Sequence, residues 1–165
     1  MNRRKFLTFS AGMLSLPLFF INGRNAMADP AQTGVEKINL DDREWKKRLS
    51  DQQYNVLRRE GTEPPFTSPL NDEKHTGMFV CAGCNLELFP SQFKFNSGTG
   101  WPSFYDVIPG HVETRTDYKL LYPRTEYHCA RCGGHHGHVF SDGPEPTGLR
   151  YCNNGAALKF IPEKS

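Results

Sequence analysis

No stretch of the sequence offers the roughly 20 consecutive apolar residues that a membrane-spanning helix requires. The nearest candidate, Phe6 to Ile21, is interrupted by Ser10, Gly12, Ser15 and Pro17. There is no low-complexity tract and no internal repeat beyond two short cysteine knuckles, which argues against solenoids and disordered linkers. Acidic residues are absent from the first 28 positions, where Arg3, Arg4, Lys5 and Arg24 stand; taking those four cations from the net charge of +2 leaves −2 for the rest. A nucleic-acid partner therefore has no electrostatic footing. What remains is a chain of 165 residues, 37% hydrophobic and 12% aromatic. It is too apolar for disorder and short for two cores, so a single folded domain is expected.

Arg3-Arg4-Lys5, the mild apolar run and the small-x-small sequence Ala26-Met27-Ala28 before Asp29 read as an export signal over residues 1–28. The paired arginines are of the twin-arginine type, which carries folded protein to the bacterial periplasm and leaves no stable membrane anchor after cleavage. Residues 29–37 lack a hydrophobic period and are expected to form a flexible lead-in, with the domain running over 38–165. Asp41 to Arg59 places Trp45, Leu49, Tyr54 and Leu57 among polar residues, and Ser50-Asp51-Gln52-Gln53 is a capping box, so two short helices joined near Ser50 are expected. Gly61 and Pro64-Pro65 end them. Beyond Pro65 the pattern is mostly antiparallel β, with strands expected at Met78–Val80, Leu86–Phe89, Lys119–Tyr122, Glu126–His128, Val139–Phe140 and Ala157–Ile161.

The five cysteines divide into four and one. Cys81-Ala82-Gly83-Cys84 and Cys129-Ala130-Arg131-Cys132 are C-x-x-C knuckles, and four thiolates make a closed tetrahedral zinc site with no coordination position left for water. Such a zinc is structural rather than hydrolytic. Two disulfides are the competing reading, which an oxidising compartment invites. Cys152 is left over, an intermolecular partner, a reactive thiol or a buried inert one; Arg150, Asn153 and Asn154 beside it supply charge and donors that favour a thiolate. His135, His136 and His138 can also be read as a second metal site, but no carboxylate or further histidine nearby in sequence completes a ligand set.

Ser97-Gly98-Thr99-Gly100-Trp101-Pro102-Ser103-Phe104, Cys132 to Phe140, Asp142-Gly143-Pro144 and Gly148 to Asn154 resemble the methionine sulfoxide reductase B family in order and spacing. The resemblance covers roughly residue 38 onward. It implies a mainly β fold of two antiparallel sheets with short N-terminal helices and a structural zinc. It also implies reduction of the R epimer of methionine sulfoxide in oxidised proteins or peptides. In that likeness Cys152 is the nucleophile, His138 and His135 the active-site histidines, Trp101 the aromatic that seats the methyl group and Phe140 an apolar wall. Arg150 and Asn154 flank the nucleophile. His136 falls where the family carries an apolar residue and receives no role.

Sulfoxide reduction asks for a nucleophile to attack sulfur and a proton for the departing oxygen, which Cys152 and His138 supply, with His135 and Asn154 orienting the S–O group. Thr99 stands where some members of the family carry a cysteine that resolves the oxidised nucleophile. With four cysteines assigned to zinc, resolution falls to an external thiol, a thioredoxin-like partner. Two other functions compete: a zinc-dependent binding module in which Cys152 is inert, and a cysteine hydrolase, for which nothing in the sequence marks an oxyanion hole.

Overall fold

The computed structural model describes residues 34–164. The export-signal reading of residues 1–28 lies outside the described residues, as does most of the lead-in. Among the described residues no helix is long and apolar enough to cross a membrane. Val35, Ile38 and Leu40 already pack against the core, and Lys37 pairs with Glu113, so the packed part begins by Val35.

Two helices follow where the periodicity places them. The first, α1 (Asp42–Arg48), is capped by the Asp41 carboxylate; the second, α2 (Asp51–Arg59), opens on the Ser50/Gln53 capping box with both reciprocal bonds made. They turn Trp45, Tyr54, Val56 and Leu57 inward. The chain leaves α2 through a left-handed Glu60 (φ 55°) ahead of Gly61, so the helix stops before the proline pair is reached.

All strand pairing is antiparallel, as expected. A three-stranded sheet has the order β2-β1-β9, and a six-stranded sheet the order β3-β4-β8-β7-β6-β5. The first is built from β1 (Gly77–Cys81), β2 (Glu87–Pro90) and β9 (Leu158–Pro162). The second holds β3 (Lys94–Phe95), β4 (Ser103–Phe104), β5 (Val112–Asp117), β6 (Arg124–Cys129), β7 (His135–Phe140) and β8 (Arg150–Asn153). Aromatic rings join the two sheets. Phe89 of β2 stacks on Phe104 of β4 at 4.3 Å between centroids, and Phe79 of β1 meets the same ring edge-on at 4.9 Å. Each such pair adds about 0.5–1.5 kcal/mol beyond its buried area.

One expected strand is wrong. Lys119–Tyr122 is not a strand but the exposed connection between β5 and β6, and the strand lies just before it, at Val112–Asp117. The apolar run Leu120-Leu121-Tyr122 imitates a strand, whereas the true one is an edge strand of alternating charges and threonines with no buried face to leave a hydrophobic signal. The very short β3 and β4, and β8, which carries Cys152, were likewise not distinguished by pattern.

His136 is fully buried, stacked on Tyr127 at 6.1 Å between ring centroids and bonded through Nδ1 to Asn153 Oδ1 at 3.1 Å. Burial pushes its pKa down to about 4. The unfolded chain takes up a proton near pH 6.5 that the native chain refuses, so stability is complete above about pH 6.5 and is lost as pH falls toward 4, by about 1.4 kcal/mol per pH unit for each such group. His136→Leu is therefore expected to flatten the fall in unfolding free energy between pH 6.5 and 4.5 by about that slope. Urea titrations of both proteins across this range measure it.

Candidate active site

Strand β8 lies between β4 and β7, and its pairing places Cys152 directly opposite His138 on one side and Ser103 on the other. Directly opposed residues share a face of the sheet with Cβ atoms about 4.5–5.5 Å apart. The β7 backbone can come this close only because residue 137 is glycine: a Cβ there would stand 1.9 Å from the Cys152 carbonyl oxygen. Cys152 and His138 open into a hollow of about 140 Å³ lined also by Trp101, Phe140, Arg124, Thr62 and Asn154. This is smaller than the roughly 300–1,000 Å³ of drug-sized sites and suits the end of one side chain rather than a bulky cofactor.

The walls are held from behind. Glu63, buried just ahead of the proline pair, accepts from the backbone N–H groups of Gly155 and Ala156, while its own N–H donates to Asn154 Oδ1 at 2.9 Å. Its carbonyl oxygen accepts from Trp101 Nε1 at 3.1 Å. Asn154 Nδ2 donates to the His136 carbonyl at 3.0 Å. The Asn154 oxygen and one amide hydrogen are thus spent on fixing the indole and the β8 end, which makes Asn154 a positioning residue first.

His138 is oriented by a carboxylate the sequence analysis missed. Its Nε2 lies 2.8 Å from Asp117 Oδ2, which also accepts from Arg124 Nη2 at 2.6 Å. The Lys119 backbone N–H, with His138 and Arg124, holds the Asp117 carboxyl well below the usual range, so it is ionised and accepts Nε2–H. Burial lowers the His138 pKa against the pull of Asp117. The imidazole is therefore neutral at pH 7, with Nδ1 free to accept a proton.

His135 does not line the hollow. It packs edge-on behind His138, with ring centroids 5.7 Å apart, and its Nδ1 lies 2.5 Å from Glu126 Oε1. Burial pushes it down to about 4 despite Glu126, so it too is neutral. Glu126, His128 and His135 bring three ligand-type atoms together. Two donors on one tetrahedral ion stand roughly 3.3 Å apart, farther than the 2.5 and 3.0 Å found here, and Arg115 Nε already occupies the second Glu126 oxygen at 2.8 Å. The Glu126 carboxylate bonds and orients His135, while His128 Nε2 lies near the same carboxylate without a hydrogen bond to it.

Arg150 forms a two-pronged ion pair with Asp142, at 2.8 Å for each bond, and lies over Phe140 with its guanidinium carbon 4.3 Å from the ring centroid. Burial pushes the Cys152 thiol up; Arg150 and the Thr99 hydroxyl pull it down, and Asp142 opposes them. The expectation that Arg150 would favour a thiolate has the right sign, but burial outweighs it and the resting group is a thiol.

Where β1 and β6 end, Cys81 and Cys84 of one knuckle meet Cys129 and Cys132 of the other, so all four cysteines converge. The closest sulfur pairs are 3.6 Å (Cys81 to Cys132) and 3.4 Å (Cys84 to Cys129). A disulfide needs about 2.05 Å, whereas sulfurs on a tetrahedral zinc stand roughly 3.8 Å apart. All five cysteines are free thiols, and the quartet fits a metal. Trp45 and Leu57 cover the knuckles, and Arg58 Nη1 donates to the Cys132 carbonyl at 2.8 Å.

A SelR-domain family model matches residues 49–162. The peptide methionine sulfoxide reductase MsrB of Methanosarcina barkeri is 52% identical over 135 residues, covering 81% of this chain and 93% of its own. That of Leptospira interrogans is 50% identical, covering 77% of this chain and 98% of its own. The chloroplastic peptide methionine sulfoxide reductase B1 of Arabidopsis thaliana is 50% identical over 89% of this chain and 75% of its own. The chain belongs to the methionine sulfoxide reductase B family. Within that family setting, Cys152, His138, Trp101 and Phe140 share one hollow, Asn154 lines it and holds its wall, Arg150 backs it, and His135 supports it from behind. Asp117, Arg124, Glu126 and Glu63 were not found from sequence; they reach the site through strand register and backbone bonds that leave no local motif.

Proposed function

We propose that this protein reduces methionine-R-sulfoxide in oxidised proteins and peptides. The observation that carries the reading is the cross-strand pairing of the Cys152 thiol with a neutral, carboxylate-held His138 at a hollow walled by Trp101. As Cys152 attacks the sulfoxide sulfur, His138 Nδ1 takes the thiol proton and returns it to the sulfoxide oxygen. The oxygen then passes from the substrate sulfur to the Cys152 sulfur, the S–O bond to the substrate and the transient sulfur–sulfur bond both breaking, so that methionine leaves and Cys152 carries the oxygen as sulfenic acid. The balance is one thiol plus one sulfoxide to one sulfenic acid plus one thioether. Trp101 and Phe140 seat the methyl group, leaving the oxygen the polar side. The choice of the R epimer follows from the family.

Sulfenic acid is then resolved by two external thiols, which become a disulfide and release water; a thioredoxin-like protein is the proposed donor. Thr99 lies against Cys152 and has no thiol to offer. Cys81, Cys84, Cys129 and Cys132 would hold zinc, which clamps the fold and takes no part in the reaction. Residues 1–28 are proposed to direct export to the bacterial periplasm by the twin-arginine route, delivering a folded domain with its thiols already protected by metal.

Peptides bearing one sulfoxide epimer, supplied with dithiothreitol, test the activity. Reduction of the R form only, abolished in Cys152→Ser, is expected, with kcat/KM holding through the ordinary histidine range and falling only at more acidic pH, where His138, its pKa lowered by burial, is protonated and no longer accepts the thiol proton. Reduction of both epimers, or turnover by Cys152→Ser, refutes the assignment. Elemental analysis of the mature protein is expected to give one zinc per chain, and removing it with a chelator should lower the melting temperature by more than 10 °C, since binding of structural zinc is itself folding energy, about 10–16 kcal/mol in small domains. Thr99→Cys is expected to convert the single-cysteine cycle into one that forms a 99–152 disulfide after one turnover. Thiol counting and peptide mapping detect it, whereas the natural chain should show sulfenic acid and no such bridge.

A further inference from the structure

Three hydroxyl groups gather beside the nucleophile on the β4 side and have no part in the reaction described above. The loop ahead of β4 folds back on itself, so that Ser97 Oγ lies 2.8 Å from Thr99 Oγ1 and 2.8 Å from Ser103 Oγ. Ser103 is fully buried and stands directly opposite Cys152 in the β4–β8 pairing, and the Thr99 hydroxyl lies against the Cys152 sulfur. The two ends of the chain of hydroxyls therefore flank one thiol. A hydroxyl has a single hydrogen to give, and a carbonyl oxygen has none. Ser103 Oγ lies 3.1 Å from the Trp101 carbonyl oxygen, so the Ser103 hydrogen goes there. The Ser97–Ser103 bond must then use the Ser97 hydrogen, and the Ser97–Thr99 bond the Thr99 hydrogen. Ser97 Oγ also accepts the Thr99 N–H at 3.4 Å, in keeping with its acceptor role toward that residue. Thr99 is left with lone pairs alone to offer the sulfur.

We infer that Ser103, Ser97 and Thr99 form a one-way chain of hydroxyls, anchored on the Trp101 carbonyl, which receives the Cys152 S–H at rest and makes these three side chains positioning groups for the nucleophile. The inference deepens the reductase reading, on which the role of Cys152 rests. A thiolate accepts hydrogen bonds and gives none. When the Cys152 proton passes to His138, Thr99 must turn its hydrogen from Ser97 to the sulfur, and the chain gives up one of its own hydrogen bonds. The chain thus favours the thiol until substrate arrives. That suits a nucleophile with no second thiol beside it, because the thiolate is the form that stray oxidants attack. The charged and titratable groups that face Cys152 from the other elements are Arg150 with Asp142, His138 with Asp117, Arg124 across the hollow and Tyr127 of β6. Residues 97–104 carry no charge, so substitutions in the chain of hydroxyls leave all of these in place.

Alkylation by iodoacetamide as a function of pH tests the chain in the purified, folded protein, scored by mass on the peptide that contains Cys152 so that the other four cysteines do not count. Thr99→Val removes the donor that a thiolate uses and is expected to raise the thiol pKa by about one pH unit. Ser97→Ala and Ser103→Ala release the Thr99 hydrogen for the sulfur and are expected to lower it by roughly half to one pH unit, seen as about 3- to 10-fold faster alkylation at pH 7. Thr99→Ser keeps the hydroxyl and should behave as wild type. Opposite signs from adjacent hydroxyls separate a directed chain from simple packing, whose loss moves every variant the same way. Ser97 is half-buried, so Ser97→Ala gives the answer even where Ser103→Ala does not fold. Shifts of one sign in Thr99→Val and Ser97→Ala, or no shift in either, overturn the inference. Alkylation needs no turnover: the expected shifts in a protein that reduces neither sulfoxide epimer remove the reductase reading and leave the chain of hydroxyls standing.

Discussion

The register of β7 on β8 is the constraint on which the rest of the site depends. Side chains alternate faces along a strand, so a slip of one residue would carry His138 to the opposite side of the sheet from Cys152 and replace it with a neighbour. Two features forbid the slip. Strand β8 is held on both sides, by β4 and by β7, and the tight approach of Gly137 to the Cys152 carbonyl admits only a residue without a side chain. The glycine between two histidines in His136-Gly137-His138 is thus a packing requirement of the nucleophile's own backbone.

A second constraint operates at the other end of β6 and β7. The four-cysteine cluster takes one pair from the end of β1 and the turn that follows it in the small sheet and the other from the end of β6 and its turn in the large one, so a metal held there would tie the two sheets together. Its knuckle ends three residues before His135, which connects the metal-type site to the array behind His138 through the shortest stretch of β7. The helices close over the same cluster with Trp45 and Leu57, and the chain leaving α2 passes Glu60 and Glu63, the first supporting the β5–β6 hairpin and the second Trp101 and Asn154. One corner of the fold therefore organises two walls of the hollow.

The electrostatics describe a site at rest rather than one primed with charge. Burial keeps Cys152 a thiol and both His135 and His138 neutral, while Asp117 and Glu126 stay ionised on the far sides of the imidazoles. In the proposed reaction a proton moves over a short path from sulfur to imidazole to oxygen, and no separated charge has to be kept in a partly desolvated hollow beforehand. Arg150 is neutralised by Asp142 and lies against Phe140, so it lends the thiol a modest field and the apolar wall a rigid backing.

The sequence by itself determined the β-rich class, the helix pair down to its Ser50 capping box and the division of the cysteines into four and one, and its family resemblance pointed to Cys152, His138, Trp101 and Phe140, which line one hollow. Those features are written in local patterns: periodicity, turn residues, and blocks of chemistry-bearing residues in fixed order. The tertiary structure alone decided that Asp117 and Glu126 hold the histidines, that Glu63 ties Trp101 to Asn154, that burial outweighs Arg150 at the thiol, and that Lys119 to Tyr122 is an exposed tip. Each of these depends on which strand lies beside which and on how much water is displaced, and both arise from contacts between residues far apart in the chain. The hydrophobic run at 120–122 misled for the same reason: an apolar segment and a buried one differ only in what the rest of the molecule places over them.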